Sequence, residues 1–149
     1  MLCIPYLAIA QNVNINVHFE GDCMKQEHGF TDLVIEIENQ SEKTAWIKYS
    51  SFWPCIRDSI QMINEKDVLN EWVYAEFMSP EDNKKIRNGW IKLKGNSSEI
   101  LHVRTSRFDY LNLEVGKDYF MHSFYVKSGK RRDKNINVIC NDLSFQMCE

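Results

Sequence analysis

The chain has 149 residues, of which 44% are hydrophobic, 12% aromatic and 26% charged. This length corresponds to one domain, and the supply of large apolar side chains excludes a disordered protein. With 18 basic and 21 acidic residues the formal net charge is −3, so no overall field draws the protein to nucleic acid or to an anionic membrane. We therefore predict one globular domain without a nucleic-acid partner.

The first ten residues, 1–10, are apolar apart from one tyrosine and end in Ala8-Ile9-Ala10. This spacing of small residues is typical of a secretory cleavage site, so we predict a truncated signal peptide over residues 1–10 and a mature domain over residues 11–149. An ordinary first strand is the alternative, because no Lys or Arg precedes the apolar run. The run is also too short to span a membrane. The sequence thus predicts a secreted or periplasmic protein without a transmembrane segment.

Strict alternation of apolar and polar residues predicts that most of the mature chain forms β-strands. The pattern covers residues 13–19 and then residues 33–38 and 45–49, which lie on either side of a polar turn. Pro54 cannot donate a ladder hydrogen bond and should end the third of these strands or start the following loop. Further strands are predicted over residues 60–64, 71–78, 90–94, 98–105, 119–126 and 136–147.

One short helix is predicted among the strands. Ser79 is a favourable N-cap, Pro80 suits the first helical position, and two acidic residues follow in the first turn. Asn88-Gly89 has the composition of a helix stop. These signals predict a helix near residues 80–88.

Leu113, Gly116 and Tyr119 stand just before the strand predicted over residues 119–126. In this order they resemble the tyrosine corner of immunoglobulin-like and fibronectin type III-like sandwiches, in which the tyrosine hydroxyl bonds to backbone a few residues upstream. Met121 stands where antibody domains have their second core cysteine, so the likeness is to the fold and not to antibody domains. Together with the alternation, it predicts an all-β protein, a two-sheet antiparallel immunoglobulin-like β-sandwich.

The mature domain contains four cysteines, Cys23, Cys55, Cys140 and Cys148. An even number in an exported protein is typical of disulfides, and four cysteines allow three connectivities. Buried free thiols are the alternative, and the sequence does not choose between them. No two cysteines are three positions apart, which excludes a redox CxxC motif and a zinc knuckle of that spacing.

The spacing of glycine and histidine excludes several enzyme classes. The glycines do not fit the GxGxxG, GxSxG or P-loop motifs, and the histidines do not fit HExxH. We therefore predict a non-enzymatic protein without cofactor or metal. The contrasting hypothesis is a small metal-dependent hydrolase built from His102, His122 and nearby acids, which requires both histidines to share a cleft.

Aromatic residues supply the best candidate binding surface. Three tryptophans alternate with inward apolar residues, which directs them to outer faces, and two further aromatics lie beside arginines in a predicted loop. Aromatic and arginine side chains together suit a protein or glycan contact. The alternative is that the tryptophans fill the interior. The candidate binding residues are Trp46, Trp72, Trp90, Arg104, Arg107, Phe108 and Tyr110.

A basic turn precedes the last segment, with Lys127, Lys130, Arg131, Arg132 and Lys134. It is interpreted either as a solvated hairpin loop or as a contact for an anion or a glycan. Without interleaved aromatics it lacks the stacking that single-stranded nucleic acid requires. Taken together, the sequence predicts an exported binding module for an unknown protein or glycan. An inhibitor or neutralising partner of a secreted protein is a second possibility in the same class.

Overall fold

The computed structural model describes residues 11–57, 75–109 and 111–149, with the backbone alone for residues 55–57. The predicted signal peptide, the strand predicted over residues 60–64 and two candidate binding residues, Trp72 and Tyr110, lie outside the described residues.

Within the described residues, twelve strands form three sheets. The first sheet contains β1 (Gln11–Phe19), β2 (Gln26–Glu27), β3 (Phe30–Asn39), β6 (Glu76–Met78), β9 (Ser98–Thr105) and β11 (Ile136–Cys140). The second contains β5 (Phe52–Arg57), β10 (Asp118–Tyr125) and β12 (Asp142–Gln146). The third contains β4 (Ala45–Lys48), β7 (Ile86–Arg87) and β8 (Trp90–Leu93).

The alternating sequence gives the first sheet an apolar inner face. β3 pairs antiparallel with β1 on one side and with β9 on the other, so that Val17, Ile35 and Leu101 form one row across three strands. All three side chains are buried. Because side chains in a strand alternate between faces, this register also places Ile15, Ile37 and Val103 on the same side, toward the core.

The second and third sheets cover that inner face. Tyr119, Met121 and Phe145 from the second sheet belong to the same buried cluster as the apolar residues of the first sheet. The third sheet adds Ala45, Ile47, Ile91 and Leu93 to it. Burial of each large apolar side chain contributes about 1.5–3 kcal/mol. The predicted all-β sandwich is confirmed.

Two details of the sandwich differ from the prediction: the described residues form three sheets and not two, and one pair of strands is parallel. β11 pairs with β1 in parallel, from Gln11 opposite Ile136 to Ile15 opposite Cys140, so the first sheet is mixed and not purely antiparallel. The chain leaves β10 in the second sheet and enters the first sheet beside β1, running in the same direction as that strand. An alternating pattern marks a strand but not the direction of its neighbour.

The helix is shorter than predicted, with α1 covering Pro80–Asn83. Its start is as predicted, since Ser79 Oγ accepts a hydrogen bond from the backbone N–H of Asp82 at 3.1 Å. Asn88-Gly89, however, is the turn of the β7–β8 hairpin and not a helix stop. Both residues have positive φ, 52° and 82°, as two-residue hairpin turns of type I′ require.

The segment that resembles a tyrosine corner has the implied hydrogen bond. The hydroxyl of Tyr119 accepts a hydrogen bond from the backbone N–H of Glu114, with a distance of 2.8 Å. Leu113 packs against the core, and Gly116 has a φ of 81°, which glycine adopts without strain. The immunoglobulin-like relationship itself stays a prediction.

Among the side chains that the structure describes there is one disulfide, which joins Cys23 to Cys148. Cys23 lies in the segment after β1, and Cys148 directly follows Met147, which forms isolated β-bridges. Cys140 is a partly buried free thiol, and burial, with a smaller contribution from the charge of Asp142, raises its pKa to about 12. The side chain of Cys55 lies outside the described part of the chain.

Candidate binding face

The third sheet presents tryptophan and lysine side chains on its outer side. Ala45 and Ile47 of β4 are buried in the core, so the alternation directs Trp46 and Lys48 outward. The same alternation in β8 turns Trp90 and Lys92 outward while its two apolar residues are buried.

The pairing of the strands places tryptophan and basic side chains next to each other on this outer side. Trp46 lies opposite Lys92, and Trp90 lies between Lys48 on one side and Arg87 on the other. Each tryptophan therefore has a basic residue beside it on a neighbouring strand. Both tryptophans are half-buried, so part of each ring remains at the surface.

Arg132 reaches this surface from the basic turn between β10 and β11. Its Cζ lies 4.3 Å from the ring centroid of Trp46 and 5.7 Å from that of Trp90. Lys92 Nζ lies 5.8 Å from the Trp46 centroid. A cation over an aromatic face is attracted by the ring quadrupole, with about 0.5–2 kcal/mol per contact. The basic-aromatic face is the set Trp46, Lys48, Arg87, Trp90, Lys92 and Arg132.

A buried carboxylate next to Arg132 fixes the basic turn. Asp133 is fully buried and accepts hydrogen bonds from the Tyr125 hydroxyl, the Ser128 backbone N–H and Ser128 Oγ, each at 2.9 Å. The Tyr125 hydroxyl in turn accepts the backbone N–H of Lys48 at 2.9 Å. Burial is the main cause that raises the pKa of Tyr125 above its ordinary value. The network thus connects the basic turn to β4.

Beside the face lies a cleft of about 350 Å³. Both tryptophans line it, together with the basic residues Lys84, Lys85, Arg87 and Lys92 and the acidic residue Glu99. Lys85 contacts Asp82 at 2.9 Å and Glu99 at 3.8 Å. Within the part of the chain that the structure describes, the other three basic residues have no carboxylate partner. The cleft therefore has an excess of positive charge.

Phe108, which is predicted from its sequence neighbours to lie at the surface, is a core residue with 2% exposure. The expected exposure is wrong because the chain after β9 folds back over the core. In this segment the backbone N–H of Leu111 donates to the carbonyl of Phe108 at 3.0 Å. Gln26 Nε2 donates to the same carbonyl at 3.1 Å.

Arg107 is likewise turned inward. Its side chain is 9% exposed and forms an ion pair with Glu76, which also accepts the hydroxyl of Tyr49 at 2.8 Å. The guanidinium lies 5.2 Å from the ring centroid of Trp53. These contacts give Arg107 a structural role.

Arg104 is exposed, but a neighbouring carboxylate holds it. Its Nε and Nη2 donate to the two carboxylate oxygens of Asp32 at 2.9 and 3.0 Å. These hydrogen bonds lower the pKa of Asp32 against the opposing effect of burial. Arg104 belongs to β9 of the first sheet, so the structure groups Trp46 with Trp90 but does not add Arg104 to them.

The two histidines of the hydrolase hypothesis lie in different sheets. His102 of β9 contacts Asp82, with Nδ1 3.4 Å from Oδ2, whereas His122 of β10 contacts Asp142, with Nδ1 2.6 Å from Oδ1. Among the residues that the structure describes, no three His, Cys, Asp or Glu side chains are grouped to hold a metal ion. This geometry does not support a shared catalytic site.

No helix among the described residues is long and apolar enough to cross a membrane. Comparison with known proteins gives no family model, no curated protein and no solved structure that matches the chain.

Proposed function

We propose that this protein is an exported, non-enzymatic binding module that recognises a protein or a glycan with its basic-aromatic face. The observation that carries the proposal is the position of Arg132, 4.3 Å from the ring centroid of Trp46 and 5.7 Å from that of Trp90. Tryptophan and arginine are the residues most often responsible for binding energy at interfaces. Asp133 fixes the turn that carries the arginine through its hydrogen bonds to Tyr125 and Ser128, and order that exists before a ligand arrives lowers the entropy cost of binding.

Export is supported by the disulfide between Cys23 and Cys148. Disulfides form and persist in oxidising compartments such as the periplasm and the cell exterior. The apolar residues 1–10, with their Ala8-Ile9-Ala10 ending, support the same assignment.

The proposal is tested by affinity capture from the native secreted fraction with three forms of the protein as bait. These are the wild type, a Trp46→Ala/Trp90→Ala double variant and a Phe120→Ala control. Phe120 is 43% exposed but belongs to β10 in the second sheet, so its removal deletes an exposed aromatic elsewhere. Captured proteins are identified by mass spectrometry and captured polysaccharides by sugar analysis.

We expect the wild type and the control to retain the same component and the double variant to retain about tenfold less, the effect of losing ~1.4 kcal/mol. The proposal is wrong if the folded double variant captures as much of every component as the wild type. Circular dichroism shows whether each bait is folded.

A further inference from the structure

We infer that the ligand of the basic-aromatic face is a polyanionic glycan, that is, a polysaccharide whose sugar rings bear carboxylate or sulfate groups. This inference rests on the proposed binding function and names its ligand class.

The sign of the local charge points to an anion. The chain as a whole carries a formal charge of −3, yet the cleft beside the tryptophans is lined by four basic residues and one acidic residue. Arg132 and Lys48 add positive charge from the same side of the third sheet. Such a concentration of one sign in a concave surface attracts ligands of the opposite sign.

The donors of Arg132 are available to an anion. Its contacts with Trp46 and Trp90 are made through charge and ring faces, and they use no N–H group. Within the described part of the chain, Arg132 neither donates a hydrogen bond nor contacts a carboxylate. A guanidinium presents five N–H donors in a planar fork that matches the oxygens of a carboxylate or sulfate. Arg132 is thus held in position with its donors unused.

The arrangement of rings and cations favours a charged sugar polymer over an acidic peptide. Neighbouring strands in a sheet are about 4.8 Å apart. One bound sugar unit can therefore contact a tryptophan and the basic side chain on the neighbouring strand at the same time. A sugar with an acid group can place its ring against the exposed part of an indole and its acid on the neighbouring cation. The Asp and Glu side chains of an acidic peptide carry their carboxylates on flexible stems and have no ring to place against the indole.

The basic turn extends this positive surface beyond one pocket. Four further basic residues of the turn, Lys127, Lys130, Arg131 and Lys134, lie in the segment that carries Arg132. Short segments rich in Lys and Arg are typical of contacts with extended polyanions. Exposed basic residues on both sides of Arg132 in the chain suit a polymer better than a small ligand.

The test measures binding of the purified full chain to four immobilised polymers by biolayer interferometry. Heparin presents sulfate, polygalacturonate presents carboxylate, dextran is an uncharged polysaccharide, and poly-glutamate is an acidic peptide. We expect binding to heparin, to polygalacturonate or to both, with no binding to dextran and at least about tenfold weaker binding to poly-glutamate. The affinity should fall as salt is added, because exposed charges are screened.

Two substitutions separate the arginine's geometry from its charge. Arg132→Lys keeps the charge but removes the planar fork, and we expect it to weaken glycan binding about tenfold. Arg132→Gln should weaken binding further. Lys25→Gln is the matched control, because Lys25 is an exposed cation outside the third sheet. Its neighbour Met24 forms a β-bridge with Met147 and not with a strand of that sheet. This control should bind like the wild type.

The inference is overturned if poly-glutamate binds as tightly as the anionic polysaccharides, which indicates an acidic protein as partner. It is also overturned if none of the polyanions binds, or if Lys25→Gln weakens binding as much as Arg132→Gln. These results leave the proposed function standing as long as the Trp46→Ala/Trp90→Ala bait loses its captured component. If that bait loses nothing, the proposed function fails as well.

Discussion

Arg132 lies over the indole ring of Trp46, with its Cζ 4.3 Å from the ring centroid, and so connects the basic turn after β10 to the outer side of the third sheet. Neither segment would form this surface alone. The tryptophan is placed by the alternation of β4, and the turn that carries the arginine is held by the buried carboxylate of Asp133. The hydrogen bonds of Asp133 therefore help to fix the geometry of the candidate site.

Asp133→Asn should weaken this network. The substitution keeps the size of the side chain but removes its charge and replaces one of the two oxygens that accept hydrogen bonds from Tyr125 and Ser128 with an NH2 donor. We expect the free energy of unfolding to fall by about 1–3 kcal/mol, because a buried polar group loses a charged partner. Denaturant unfolding measures the effect, with Asp22→Asn at an exposed position as the control. Equal stability of the two variants would contradict the account of the network.

Asn39→Ala should destabilise the end of the third sheet. The Asn39 amide is fully buried and its Nδ2 contacts the carbonyls of Lys43, Leu93 and Lys94 at 2.8, 3.2 and 3.2 Å. Loss of the side chain leaves these carbonyls without that donor, so we expect a loss of about 1–3 kcal/mol. The control is Asn137→Ala, which removes an exposed amide. The measurement is again denaturant unfolding, and a loss no larger than that of the control would rule out this role.

Asp32 should titrate below the ordinary carboxyl pKa of about 3.9. The hydrogen bonds from Arg104 lower its pKa. Because the pKa is lower in the folded than in the unfolded protein, the pair stabilises the fold above the unfolded pKa, and this contribution is lost as the pH falls through the folded pKa. NMR titration of the Asp32 carboxyl should give a low midpoint that Arg104→Gln moves back toward the ordinary value. An unchanged midpoint in Arg104→Gln would show that Arg104 does not hold Asp32.

The strands of the core could be predicted because their pattern is local. In β1, every second residue from Val13 onward is apolar and buried, and the period of two alone identifies a half-buried strand. Asn88-Gly89 shows the limit of local signals. The same two residues suit a helix stop and a hairpin turn, and only the pairing of Ile86 with Ile91 decides for the hairpin.

The candidate site could be predicted only in pieces. Trp46 and Trp90 were identifiable from alternation, and Arg132 from the basic turn, but their contact depends on how distant segments pack. Phe108 was predicted to belong to the binding surface, but it does not lie there. An aromatic beside arginines in a loop resembles a binding residue, yet the loop folds over the core and buries the ring. Whether a loop side chain faces solvent is set by tertiary packing, which periodicity does not report.

The central claim is that Trp46 and Trp90 contact the ligand, and the indole N–H signals of the protein in two-dimensional NMR test it most directly. Each signal is assigned with a single Trp→Phe variant and then followed during titration with heparin or polygalacturonate oligosaccharides. We predict that the signals of Trp46 and Trp90 shift while that of Trp53, which lies beside the inward-facing Arg107, stays in place. Ligand binding that moves the Trp53 signal and leaves those of Trp46 and Trp90 unchanged would contradict the account.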